Sequence, residues 1–181
     1  MAQKILELGC GNRKTPGAIG VDINPRSAAD IIHDLDVFPY PFADNEFERI
    51  ICHDVLEHVA DFVHTMEEIW RIAGPAARIE VHGPFMSSVN YFSDPTHRRA
   101  FTSHSFDYFI PGSMAHQYGY SKAAFRLLSV AYDSDQIPYR KGLHGWLLRW
   151  ANRNKDTYES RYAFLYPLYS IAFELEAMKP A

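Results

Sequence analysis

Cysteine is scarce in this 181-residue chain: Cys10 and Cys52 are the two it has, too few for a disulfide scaffold. Long apolar runs are missing as well. No stretch approaches the roughly 18 apolar residues that a membrane-spanning helix needs. The opening Met1-Ala-Gln-Lys4 lacks the apolar centre of a signal peptide. There is no dense basic stripe interleaved with stacking aromatics, which argues against a nucleic-acid partner. Repeats and low-complexity linkers are also absent. What remains is ordinary globular composition, 47% hydrophobic and 22% charged with a net charge of −4. The length suffices for one domain that buries its core without metal or cross-link. A single domain over residues 1–181, housed in a reducing cytoplasm, is expected.

The first 24 residues say most. Lys4-Ile-Leu-Glu-Leu-Gly-Cys-Gly11 is an apolar run ending in a glycine pair, and Ala18-Ile-Gly-Val-Asp-Ile-Asn24 is a second run ending in a carboxylate. Parallel sheets build nucleoside pockets this way: glycines admit close backbone approach, and an acid at the next strand tip accepts ribose hydroxyls. The dinucleotide fingerprint fits badly. Its third glycine would fall at Lys14, and Asp22 follows Gly11 by 11 residues rather than by about 20.

Glu7-x-Gly9-x-Gly11 with Asp22 instead resembles the first motif of class I S-adenosylmethionine-dependent methyltransferases. The following segments extend that resemblance in order over residues 4–83. They are a third strand Asp30-Ile-Ile-His-Asp34, a fourth Arg49-Ile-Ile-Cys52, the "Leu-Glu-His-Val" run Leu56–Val59 opening a helix, a turn at Gly74-Pro75, and a fifth strand Arg78-Ile-Glu-Val-His82. Asp94-Pro-Thr-His-Arg-Arg99 with Phe101-Thr102 is similar to a loop of the short-chain, type 11-like branch. The resemblance implies an α/β, Rossmann-like fold with a mostly parallel seven-stranded sheet and an antiparallel last strand, S-adenosylmethionine as cofactor, and a small-molecule acceptor. It further implies that Gly9 and Gly11 line the methionine part of the donor, with Glu7 just beneath. Asp22 would hold the ribose, Ile23 would pack on adenine, and Asp34 with the Leu35 backbone would read the adenine edge. His53 would sit near the sulfonium. Bland readings stand beside these: Glu7 as an exposed strand acid, Asp22 as a cap, and Asp34 as one solvated acid among several, with Asp36 as its competitor.

The first crossover is short. Parallel neighbours usually need a dozen or more residues, yet only Asn12 to Gly17 remain, with Pro16-Gly17 marking a turn. Six or seven extended residues reach about 20–24 Å and a five-residue strand returns about 17 Å, so the connection closes without its helix. Arg13 or Lys14 could then supply the charge that a helix N-terminus would have aimed at the donor's carboxylate. One sheet face loses its cover. Leu143, Trp146, Leu147 and Trp150, at i, i+3, i+4 and i+7, could dock there or form a homodimer contact; core packing is the expectation.

Charge is uneven: residues 1–97 carry 7 basic against 15 acidic residues, and residues 98–161 carry 10 against 5. A basic second half could meet an anionic substrate, or its arginines could simply be solvated. Residues 84–168 read as acceptor-side loops with an insertion from Tyr139 to Asn154, and a helix capped by Thr102 or Ser103 through about Phe109. Phe125 to Tyr132 reads as a sixth strand and residues 169–178 as the last.

Methyl transfer to a hydroxyl needs positioning and removal of a proton, for which histidine is suited. His53, His82 and His97 are candidates. His97, with Asp94 to orient it, is the choice for base or acceptor contact. Asp54, Glu57 and His58 would share a helix face and could hold a metal. Capping, with Asp54 as N-cap, is the preferred reading, and no metal is expected. Two rivals remain: a non-catalytic nucleoside-binding protein, and an all-helical metal-dependent phosphohydrolase.

Overall fold

The structure is a computed structural model that describes residues 3–134 and 141–179. Tyr139 and Arg140, where the insertion was expected to begin, lie outside the described residues. One sheet has the order β3-β2-β1-β4-β5-β7-β6. Its strands are β1 Ile5–Leu8, β2 Ala18–Asp22, β3 Ile31–Ile32, β4 Phe47–His53, β5 Ala73–Pro84, β6 Phe125–Tyr132 and β7 Ser170–Ala177. β1 to β5 pair in parallel, and β7 runs antiparallel to β5 and β6. This is the seven-stranded mixed sheet the sequence implied, and it rules out the all-helical phosphohydrolase. β3 is shorter than expected. Gly74-Pro75, expected as a turn, lies inside β5.

The helices are α1 Phe62–Ile72, α2 Val89–Ser93, α3 Gly142–Arg153 and α4 Lys155–Arg161. The "Leu-Glu-His-Val" run does not open a helix. α1 starts later, where the Asp61 carboxylate accepts from the His64 amide at 2.9 Å. Asp54 is therefore no N-cap; it sits at φ 50° in an irregular 54–60 loop. Thr102 and Ser103 cap no α-helix, and the segment holds only a 3-10 turn at Asp107–Phe109. Ser88 caps the five-residue α2 inside the expected loop.

Among the described residues α1 is the only helix joining two parallel strands; residues 9–17, 23–30 and 33–46 cross without one. The alternation of the strands explains how the sheet tolerates this. Register places Glu7 beside Ile51, Ile51 beside Glu80, and Glu80 beside Glu174. That face also carries Arg49, Arg78, Glu176 and Arg126. Arg49 forks onto Glu80 at 2.6 and 2.8 Å, and Arg126 meets Glu176 at 3.3 Å. Where its charges pair, on β4–β5 and β7–β6, this face can stay wet without a covering helix, whereas Glu7 and Ile51 on the same face are buried. The opposite face is apolar: Leu6, Leu8, Ile50, Cys52, Ile79 and Val81 are almost fully buried. It belongs to one core with Met66, Ile69 and Ile72 of α1 and with Phe101, Phe106 and Phe109. Phe106 lies 4.7 Å from Phe173 of β7, ring centre to ring centre.

The stripe on α3 behaves differently from expectation. Its buried residues are Gly145, Leu148 and Ala151, while Leu143 and Trp146 are 68% and 55% exposed. α3 packs against β6 and α4, and Asn152 exchanges hydrogen bonds with the Tyr132 backbone. The helix covers the β6 edge.

Candidate functional site

The loops at the carboxyl ends of β1, β2, β4 and β5 are fastened by side chains where helices are missing. Glu7, only 6% exposed, accepts from the Thr15 amide and closes the first crossover. Asp22 at the end of β2 accepts from the Gly11 amide and from its neighbour Asn24, both at 2.8 Å. Lys14 is committed to Asp30 at 2.6 Å, and Asp30 accepts the Gly20 amide at 2.8 Å. That leaves Arg13, exposed, as the uncommitted half of the expected pair. Buried Glu68 of α1 accepts the Tyr40 amide, and Arg71 grips it while donating to the Phe42 and Tyr40 carbonyls. Burial opposes ionisation of Glu68, but the Arg71 guanidinium prevails and holds its carboxyl below the usual range.

Between these loops lies a cavity of about 580 Å3, within the ordinary size range of small-molecule sites. Gly9, Asp22, Ile23, Asp34 and Leu35 line it, joined by Asp36, Asp54, Val55, His58, Thr96 and Arg98. Five of the eight residues expected around the donor are thus brought together. Glu7 and Gly11 act on the loop behind the wall. His53, exposed at the end of β4, is not part of the lining, because the chain turns at Asp54 and presents Val55 and His58 instead. Gly9 sits at φ 67°, and a Cβ there would lie 2.4 Å from Val55 Cγ2. Ile23 is 63% exposed, an apolar surface available to a flat ring. Asp36 is tied to the Ala60 amide at 2.7 Å, whereas the Asp34 carboxylate accepts from the Asp36 amide at 2.9 Å within the same turn. The lining suits S-adenosylmethionine chemically. It carries four aspartates, which would suit a sulfonium and an ammonium, and Arg98, which would suit a carboxylate.

A second cavity, about 220 Å3, adjoins the first and shares Asp54 with it. Glu57, His82, Gly83, Asn90, His97, Tyr169 and Ser170 are among its lining residues. His82 Nδ1 lies 2.9 Å from Asp54 Oδ1. Burial raises the Asp54 carboxyl, but the bond to His82 outweighs it and the net shift is downward. His97, whose side chain is 10% exposed, donates from Nδ1 to the Tyr91 carbonyl at 3.0 Å. Asp94 is 4.0 Å from its Nε2 and is spent on Thr96 instead. The expectation that Asp94 orients His97 is therefore corrected: a backbone carbonyl does so. Glu57 is 1% exposed, its Oε2 has no hydrogen-bond partner, and burial pushes its carboxyl up to about 7. Sequence reasoning missed Val55, Thr96, Arg98 and the role of His82; the last was in sight as a histidine at a strand end, but its pairing with Asp54 spans 28 positions.

A third cavity of about 240 Å3, walled by Trp146, Trp150, Tyr158 and Tyr166, is almost wholly apolar and lies outside this chemistry.

Residues 6–81 match a family model described as a methyltransferase domain. No curated protein matches the chain. Among solved structures, a SAM-dependent methyltransferase from Archaeoglobus fulgidus is 15% identical with a TM-score of 0.58, over 97% of this chain and 86% of that one. The [4+2]-cyclase SpnF is 13% identical with a TM-score of 0.60, over 99% and 76%. Phosphoethanolamine N-methyltransferase 2 of Haemonchus contortus, solved with S-adenosyl-L-methionine, is 12% identical with a TM-score of 0.56, over 99% and 49%. At such identities the structures speak for the fold, and the sequence match speaks for the domain. Residues 6–81 thus match a methyltransferase domain by sequence, and the chain as a whole shares the fold of solved SAM-dependent methyltransferases.

Proposed function

We propose that the enzyme methylates a hydroxyl of a small polar acceptor, such as a sugar or glycoconjugate, held in the 220 Å3 cavity. The reading rests on one observation: the Asp54–His82 pair stands where the two cavities meet. S-adenosylmethionine supplies an electrophilic methyl group when bound. Gly9 would admit its methionine part, Asp22 would accept from its ribose, and Ile23 would pack on its adenine. Asp34 and the Leu35 backbone would meet the adenine edge, and Arg98 would offer its charge to the carboxylate. Asp54 holds His82 through Nδ1 at 2.9 Å, so a carboxylate-backed imidazole stands at the junction as the group suited to take the acceptor's hydroxyl proton. His97 is an acceptor-side contact. Asn90, Tyr169 and Ser170 give the cavity a polar wall, which favours a hydroxylated molecule over a lipid. No helix among the described residues is long and apolar enough to cross a membrane. The two free, buried cysteines suit a cytoplasmic setting for the single domain.

A screen of sugars, glycosides, quinones and small acids with labelled donor tests the reading. Methyl transfer to a hydroxyl is expected, with kcat lowered about 10²- to 10⁴-fold in His82→Ala and donor affinity unchanged. Donor binding without transfer to any acceptor would instead favour a binding protein. A His82→Ala enzyme with full kcat would remove the base.

A further inference from the structure

The tertiary structure gathers Glu57, His58 and His97, from two different loops, so that one ligand atom of each lies within 4.8 Å of the others. We propose that these three side chains form a binding site for a divalent transition-metal ion of the zinc class, on the wall shared by the two cavities.

The hydrogen bonds around the cluster fix which ring nitrogens carry lone pairs. A carbonyl can only accept, so the contact of His97 Nδ1 with Tyr91 puts the proton on Nδ1 and the lone pair on Nε2. The Thr96 hydroxyl gives its one proton to Asp94 at 2.6 Å, so it accepts from His58 Nδ1 at 2.9 Å. His58 Nε2 is then also a lone pair. Neutral imidazoles held through the other nitrogen by a carbonyl or a carboxylate-backed hydroxyl are what metal-binding histidines require. The rings stand 4.7 Å apart, centre to centre.

Glu57 is the independent observation. It is buried at 1% exposure, its Oε2 lacks any partner, and its Oε1 lies 3.9 Å from His97 Nε2. A buried carboxylate left unpaired is costly, and a cation among these ligands removes that cost. The loops are already fastened to each other. The Arg98 amide donates to the Glu57 carbonyl at 2.8 Å, and Arg99 reaches the Leu56 and Val59 carbonyls at 2.7 and 2.6 Å. Ligand atoms bound at about 2.0–2.2 Å stand roughly 3–3.5 Å apart, so closure needs only side-chain rotation. Two imidazoles and one carboxylate suit zinc, cobalt, iron or manganese better than calcium or magnesium, and they leave coordination positions open. Glu57 and His97 both line the smaller cavity, so an open position there would face an acceptor oxygen.

The binding claim stands without the acceptor assignment, because it is measured without turnover. Metal-stripped protein would be titrated with Co2+, read by visible absorption, and with Zn2+ by calorimetry. One equivalent per chain is expected, weakened at least tenfold in Glu57→Gln and in His97→Ala. Neither residue lines the donor cavity, so S-adenosylmethionine binding and circular dichroism report whether each variant is folded. Thr96→Val, which removes the outer contact to His58, is a second arm should either misfold; it should also weaken the metal. His104→Ala, in a separate surface cluster with Asp107 and Asp156, should bind as the parent does. No stoichiometric uptake by the parent protein, or equal affinity in Glu57→Gln and His97→Ala, would overturn the site.

Discussion

Replacing Arg99 probes how the donor-side loop is held in place. Its guanidinium donates to the carbonyls of Leu56 at 2.7 Å, Val59 at 2.6 Å and Ala60 at 3.2 Å, and it lies 5.2 Å from the Phe62 ring centre. These carbonyls belong to the loop that fails to become helix, so no backbone ladder holds them. Hydrogen bonds to a charged group contribute about 1.5–3 kcal/mol each. The exposed Ala60 carbonyl regains water on mutation, and the part-buried pair regains some. Arg99→Met, which keeps the apolar stem over Phe62, should therefore cost about 2–4 kcal/mol. For a domain of this length that is a fall in Tm of roughly 5–15 °C. Urea denaturation measures the free energy directly. Donor affinity should fall as well, because Val55, His58 and Val59 lie in this loop and line the cavity. Arg99→Lys should land between, since an ammonium cannot fork across two carbonyls. A loss below about 0.5 kcal/mol in Arg99→Met, the size of an ordinary surface change, would refute the reasoning.

Gly9→Ala would force a Cβ to 2.4 Å from Val55 Cγ2 at φ 67°; donor affinity should drop about tenfold, or ~1.4 kcal/mol, with partial rescue by Val55→Ala in calorimetry. Unchanged affinity in the single variant would count against the glycine approach. Glu68→Gln should cost about 1–3 kcal/mol at neutral pH, because the amide keeps one oxygen for the Tyr40 amide but loses the charged acceptor of Arg71, which still holds Asp44. Because the Glu68 carboxyl is held below its ordinary value, its contribution is present above about pH 4.3 and is lost as pH falls through the lower folded value. The parent and Glu68→Gln stabilities should converge in acid. His104 runs the opposite way. Its bond to Asp107, against partial burial and with help from Asp156, raises its pKa. The stabilisation is complete below about pH 6.5 and fades as pH rises through the raised folded value. His104→Ala should remove that component from a plot of unfolding free energy against pH, and identical slopes would disprove it.

The donor half was legible because its signals are local. Gly9, Asp22 and Ile23 sit where short apolar runs end in glycine or acid, their roles were implied by the methyltransferase resemblance, and five of the eight expected residues do meet around one cavity. The helix-less first crossover followed from chain length alone, and the structure has none there. The helix that the resemblance implied at Leu56–Val59 does not form; the Leu56 and Val59 carbonyls are taken instead by Arg99, 40 or more positions away. The α3 stripe failed for a related reason: the β6 edge selected Gly145, Leu148 and Ala151, whose small residues allow close approach, over the larger Leu143 and Trp146.

By itself, then, the sequence determined the glycine-and-carboxylate tips of the opening strands and the short first crossover, because turn chemistry and chain length act over a few residues, while its resemblance to class I methyltransferases implied the mixed sheet. Only the tertiary structure decided that Arg49 pairs with Glu80 and Arg126 with Glu176 on one face of the sheet. It alone decided that Asp54 belongs with His82, and that Glu57 and His58 belong with His97 rather than with Asp54. Those pairings depend on which loops meet at the carboxyl edge of the sheet, and long-range hydrogen bonds, not local periodicity, bring them there.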